Sequence, residues 1–105
     1  MERIIQITTT SNDRDLIEKI GRDLVKKRLV ACAQISGPVQ SIYQWKGVVE
    51  EAEEWFLLMK SKNSLYPAIE EEIRQQHSYE LPEIIVTDIE KGLIGYLDWV
   101  AKETR

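Results

Sequence analysis

Hydrophobic and polar residues alternate along this chain with two different periods, which together predict strands separated by helices. Residues 3–10 are rich in β-branched side chains and predict a first strand. Apolar residues then recur at helical spacing over residues 16–25, which indicates an amphipathic helix with Ser11 or Asn12 as its N-cap. The basic run at residues 26–28 suits the end of that helix, because the helix dipole favours cations there.

The middle of the chain predicts a long β-hairpin. Residues 30–35 have the composition of a buried strand, and Gly37-Pro38 indicate a bend or bulge, because neither residue suits a central strand. Residues 39–46 alternate with period two, and we expect their aromatic face to be buried. Lys46 and Gly47 form a candidate tight turn, after which residues 48–61 return as the partner strand.

The second half of the chain predicts one more helix–strand pair and a final helix. Residues 62–77 read as a helix with Asn63 or Ser64 as its N-cap. Residues 83–89 follow as a strand, and residues 93–103 as a short helix. The order β-α-β-β-α-β with an appended helix predicts an α+β fold, a ferredoxin-like βαββαβ sandwich in one domain over residues 1–105.

The hairpin is longer than so small a sheet requires, so part of it should project as a two-stranded ribbon. A ribbon rich in Val, Tyr, Trp and Leu is prone to association in water. We therefore expect the ribbon to pair with another subunit.

Composition narrows the class of protein. With 105 residues, a net charge of −4 and a pI near 5.0, the chain lacks the clustered cations of a general nucleic-acid binder. An RNA-recognition domain of similar topology would also need aromatic residues in a set pattern on its strands, which we do not find. No apolar run is long enough to cross a membrane and the start does not resemble a signal peptide, so we expect a cytoplasmic protein.

The single cysteine, Cys32, and the single histidine, His77, are the candidate metal ligands. Cys32 lies in an apolar segment, where a free cysteine commonly acts as a small hydrophobic residue. His77 ends the second predicted helix, where it could cap the helix or bind a ligand. One Cys and one His leave a tetrahedral metal site two ligands short within one chain, unless carboxylates or other subunits contribute.

Four further residues are candidates for ligand binding. Tyr79 and Glu83 bracket a rigid Leu-Pro step and could orient a ligand together, or Glu83 could simply be solvated. Lys60 emerges from a buried strand and would need an anionic ligand or a carboxylate such as Glu83. Trp45 belongs to a set of large aromatic residues for which packing is favoured over stacking on a planar ligand. The acidic run at residues 50–54 reads as a solvated face.

Four segments in order resemble the CutA family of divalent-cation tolerance proteins. They are RLVACAQI, SIYQWKGVVEEAEEWFLLMKS, HSYELPEII and YLDWV. Ser78 and Ser61 depart from the family pattern, which usually has proline and threonine there. The resemblance implies a homotrimer built like the PII signalling proteins, with hairpins paired between subunits, and a role in the response to metal ions, chiefly copper. It also implies that Cys32 and His77 are metal-related, and that Lys60, Tyr79, Glu83 and Trp45 line a cleft between subunits.

The sequence therefore favours a trimeric, non-enzymatic protein of divalent-cation tolerance. Its clefts would bind copper or another divalent cation, or a small anionic ligand, and no cofactor is assigned with certainty. The alternative is a redox or hydrolytic enzyme that uses Cys32, with His77 as its base. No nucleophile, phosphate-binding or zinc-protease motif supports that alternative.

Overall fold

A computed structural model describes residues 2–105 and contains one four-stranded antiparallel sheet in the order β2-β3-β1-β4. The strands are β1 (Ile4–Ser11), β2 (Cys32–Trp45), β3 (Val48–Lys62) and β4 (Ile84–Asp88). The helices are α1 (Arg14–Lys26), α2 (Tyr66–Gln76) and α3 (Ile94–Glu103), with a short 3-10 helix at Asn63–Leu65. The α+β ferredoxin-like prediction is confirmed.

The hydrophobic core lies between one face of the sheet and helices α1 and α2. Directly opposite residues of antiparallel strands share a face, and the pair Ile7 and Met59 marks the face toward these helices. The two helices contribute Ile17, Ile20 and Leu24 of α1 and Ile69 and Ile73 of α2 to the fully buried cluster. Helix α3 instead reaches the other face, where its Tyr96 contacts Cys32.

The two predicted N-caps were each wrong by a few residues. The side chain of Asp13 caps α1 by accepting a hydrogen bond of 3.2 Å from the Leu16 amide, because Ser11 is still the last residue of β1. Asn63 and Ser64 lie inside the 3-10 helix, and α2 begins after Leu65 without a side-chain cap.

The hairpin continues well beyond the rest of the sheet as a two-stranded ribbon, formed by residues 39–45 and 48–54. Strand β1 pairs with β3 only from Trp55 to Lys62, so the ribbon has β2 and β3 alone. Lys46 and Gly47 have φ values of 51° and 80°, the left-handed pair expected of a two-residue type I′ turn. The predicted turn is confirmed.

A bulge separates the ribbon from the body of the sheet, as Gly37-Pro38 predicted. The register of β2 against β3 shifts by one residue between Ser36 and Val39. Gly37 has a φ of +136°, and a Cβ added there would lie 2.9 Å from Cδ1 of Trp55. Both facts require glycine at this position.

Two burial predictions for β2 need correction. The strand begins at Cys32, and Cys32 is half-buried, because helices α1 and α2 cover the opposite face of the sheet. On the ribbon, Trp45 is half-buried but Tyr43 is exposed in the single chain. In the part of the chain described, every helix is too short or too polar to span a bilayer.

Candidate functional site

His77 fastens the end of α2 to the end of β1. Its Nε2 lies 2.7 Å from the carbonyl oxygen of Thr10, and its Nδ1 accepts a 3.0 Å hydrogen bond from the Tyr79 amide. Because a carbonyl oxygen can only accept, Nε2 is the donor to Thr10, while Nδ1 is the acceptor from the Tyr79 amide. Both ring nitrogens are therefore occupied, and His77 has no free lone pair for a metal ion in this conformation.

Tyr79 extends the same network to the ribbon. Its hydroxyl donates to Oε2 of Glu54 at 2.7 Å and accepts from the Asn12 amide at 2.9 Å. Burial, and then the hydrogen bond to Glu54, raise the pKa of Tyr79 well above its ordinary value of 10.0. The phenol is therefore a permanent donor to the Glu54 carboxylate at physiological pH.

Glu54 is a functional candidate that the sequence interpretation missed. It belongs to the acidic run expected to be solvated, yet it is only 7% exposed. Within residues 2–105 no cationic side chain lies within 4.0 Å of its carboxylate. The alternation of faces along the hairpin could have identified it. Glu54 pairs with Val39, which puts Glu54 on the same ribbon face as Tyr43 and Trp45.

These residues border a groove of about 610 Å³ between the ribbon and the loop that joins α2 to β4. We call it the ribbon groove. Its aromatic lining is Tyr43, Trp45 and Tyr79, and its carboxylates are Glu54, Glu80 and Glu83. Among the described residues no Lys or Arg lines it. Three of the four predicted ligand-binding residues, Trp45, Tyr79 and Glu83, thus meet in one place.

Lys60 is not part of the ribbon groove. It lies opposite Cys32 in the sheet, and its Nζ donates to Oε1 of Gln34 at 2.8 Å. Within the described chain Lys60 is not paired with Glu83, because the register of β2 and β3 brings Gln34 within reach of its Nζ instead.

Cys32 and His77 are not brought together in one chain. Cys32 pairs with Lys60 of β3, which in turn pairs with Gln6 of β1. His77 instead contacts the carbonyl of Thr10, which is about 13 Å further along β1 than Gln6. The Sγ of Cys32 instead lies 3.8 Å from the hydroxyl of Tyr96, whose pKa is raised by burial and by this contact. His77 therefore cannot act as a base for Cys32 within a chain.

The donor set of one chain does not fit a closed metal site. No group of three or more His, Cys, Asp or Glu side chains with metal-binding geometry occurs among residues 2–105. A tight site for a divalent ion would need ligands from more than one chain.

Residues 5–103 match the family model described as "CutA1 divalent ion tolerance protein". The chain belongs to the CutA1 family. It is 36% identical to the divalent-cation tolerance protein CutA of Thermus thermophilus over 104 residues, which is 99% of each chain. It is also 38% identical to the human protein CutA over 95 residues. That alignment covers 90% of this chain and 53% of the human protein, so the chain spans about half the length of such CutA relatives.

Solved CutA1 structures agree with the fold over its whole length. The Thermus thermophilus structure superposes with a TM-score of 0.93 at 34% identity and covers 100% of both chains. The Oryza sativa structure gives a TM-score of 0.95 at 29% identity, covering 99% of this chain and 95% of that one. The family is named for divalent-ion tolerance rather than for a catalysed reaction.

Proposed function

We propose that this protein is a homotrimer that takes part in the cellular response to divalent metal ions without catalysing a reaction. The observation that carries the trimer is the ribbon, whose residues 48–54 pair with strand β2 alone among the strands described for residues 2–105. Its apolar residues Ile42, Val48 and Val49 are 65%, 57% and 61% exposed in the single chain. Pairing with neighbouring chains would bury them and complete the ribbon.

In this proposal, copper or another divalent cation, or a small ligand, binds where chains meet. The half-buried thiol of Cys32 is the softest donor available and suits copper. His77 would join it only if the loop that carries Tyr79 moved and released Nδ1. A site shared by chains would supply the ligands that one chain lacks.

Light scattering and calorimetry test the two parts separately. Light scattering at micromolar chain concentration should give three times the mass of 12.2 kDa, and a stable monomer would refute the trimer. Titration with Cu²⁺ should give a stoichiometry tied to three chains, weakened by Cys32→Ala. Identical isotherms for wild type, Cys32→Ala and His77→Ala would remove both residues from the site.

Two further parts of the proposal have their own tests. We place the protein in the cytoplasm, whereas a relative from Arabidopsis thaliana is named as chloroplastic and a structure from Archaeoglobus fulgidus as periplasmic. Fractionation of cells of its source would find it with cytoplasmic markers. A thiol-dependent enzyme would instead need a reactive thiolate, so alkylation of native Cys32 should be no faster than that of a free cysteine near neutral pH.

A further inference from the structure

The buried carboxylate of Glu54 lacks a counter-charge. At 7% exposure a carboxylate is expected to be paired with a cation or fully hydrogen-bonded, because burying an unpaired charge is costly. Glu54 has one hydrogen bond, from Tyr79 to Oε2, while Oε1 has no donor among residues 2–105 and keeps contact with solvent. The free oxygen belongs to a residue that lines the ribbon groove.

The remainder of the ribbon groove also suits a positive charge. Glu80 and Glu83 add two more carboxylates that form no salt bridge within the described chain. The rings of Tyr43, Trp45 and Tyr79 also line the groove, and the Nζ of Lys46 already lies 5.6 Å from the centroid of the Trp45 ring in a cation–π contact. All the charged lining residues are therefore acidic, and an anionic ligand is disfavoured.

The lining favours an organic cation over a bare metal ion. A hard divalent cation takes about six oxygen ligands, and the described residues contain no cluster of three or more metal-competent side chains. An alkylammonium ion instead needs one carboxylate, a few acceptors and apolar walls, which aromatic rings and Leu81 provide. A volume of about 610 Å³ lies within the usual range for small-molecule sites.

We propose that the ribbon groove binds a small alkylammonium ion, with Glu54 as its ionic anchor and Trp45 and Tyr43 against its carbon chain. Tyr79 is a positioning residue, because its hydroxyl holds Oε2 of Glu54 and leaves Oε1 for the ligand. The proposal goes beyond the metal response above, since it requires neither Cys32 nor a metal ion.

The test is calorimetry on the full chain with three probes of equal length: pentylamine, pentanol and pentanoate. Pentylamine should bind with a dissociation constant of about 1 mM or below, and the neutral and anionic probes at least about tenfold more weakly. Equal binding of the three probes, or no binding of pentylamine, would overturn the proposal.

Glu54→Gln should weaken pentylamine about tenfold or more, because it keeps an acceptor for Tyr79 and removes the charge. Glu53→Gln is the matched control, since Glu53 pairs with Gln40 on the opposite face of the ribbon and lies outside the groove, so this variant should bind pentylamine as wild type does. Glu83→Gln changes an exposed groove carboxylate and should weaken pentylamine severalfold, even if Glu54→Gln does not fold. Unchanged affinity in both groove variants would refute the assignment.

Light scattering on the same samples separates this inference from the trimer. If a Lys or Arg of a neighbouring chain already neutralises Glu54, pentylamine will not bind and Glu54→Gln will loosen the oligomer. That result overturns the ligand proposal and leaves the trimer in place. Pentylamine binding to a monomer would do the reverse.

Discussion

Replacing Tyr79 with phenylalanine removes a single hydroxyl that makes two hydrogen bonds. One bond goes to the Glu54 carboxylate and the other comes from the Asn12 amide. The ring itself can keep its packing against His77, whose centroid lies 4.8 Å away. Tyr79→Phe therefore reports on the hydroxyl, with little change in shape.

The two lost bonds differ in cost. The bond to Glu54 is made to a charged group that is 7% exposed, and such bonds contribute about 1.5–3 kcal/mol. The Asn12 amide is exposed, so water can replace its partner at a cost of about 0.5 kcal/mol. We expect Tyr79→Phe to lower the free energy of unfolding by about 2–3 kcal/mol.

Urea denaturation at a fixed chain concentration measures this loss. Tyr66→Phe is the control, because Tyr66 is also half-buried but its hydroxyl makes no hydrogen bond within residues 2–105; it should cost less than about 0.5 kcal/mol. In a Glu54→Gln background the cost of Tyr79→Phe should fall to about 1 kcal/mol, since a neutral acceptor remains. Equal losses for the two tyrosine variants would refute the assigned role of the network.

Three other predictions concern the pKa of Tyr79, the backbone at Gly37 and the packing of Leu24 in the core. Folding raises the pKa of Tyr79 above 10.0 and so favours the protonated form, which means that stability should fall as the pH rises through about 10. The urea midpoint, measured from about pH 9 to about pH 11, should fall less steeply in Tyr79→Phe than in wild type. Gly37→Ala should cost about 1–3 kcal/mol because of its φ and its contact with Trp55, whereas Gly95→Ala, with open space around it, should cost nothing measurable by the same assay. Leu24→Ala should cost about 2–5 kcal/mol of unfolding free energy. Val25→Ala, at a neighbouring residue that is 40% exposed, should cost about 1 kcal/mol or less, and equal costs would contradict the assigned core.

The elements of the fold could be predicted from the chain because each depends on nearby residues. Period two and period 3.6 gave the strands and helices, while Gly37-Pro38 and Lys46-Gly47 gave the bulge and the turn. The cap of α1 was misplaced by only one or two residues, because β1 continues to Ser11 and the side chain of Asp13 accepts from the Leu16 amide.

The site was harder to predict because its contacts join distant parts of the chain. Glu54 is buried by Tyr79, which lies 25 residues later in a loop whose path no local pattern specifies. The partner of Lys60 depends on the one-residue shift at the bulge, and the sequence located that bulge without giving its register. Trp45, Tyr79 and Glu83 were candidates from their residue types and from resemblance to a family, and the groove that unites them comes from the structure.

Because the turn at Lys46 and Gly47 is tight, the number of residues in each arm of the ribbon decides which face each side chain occupies. Inserting or deleting one residue between Val39 and Trp45 would move the side chains of that arm to the opposite face of the ribbon. The indole of Trp45 would then leave the groove. Descendants of this protein can therefore vary the ribbon by substitution, or by lengthening both arms in step. Gain or loss of a single codon in one arm would disrupt the groove, and functional relatives should lack such changes.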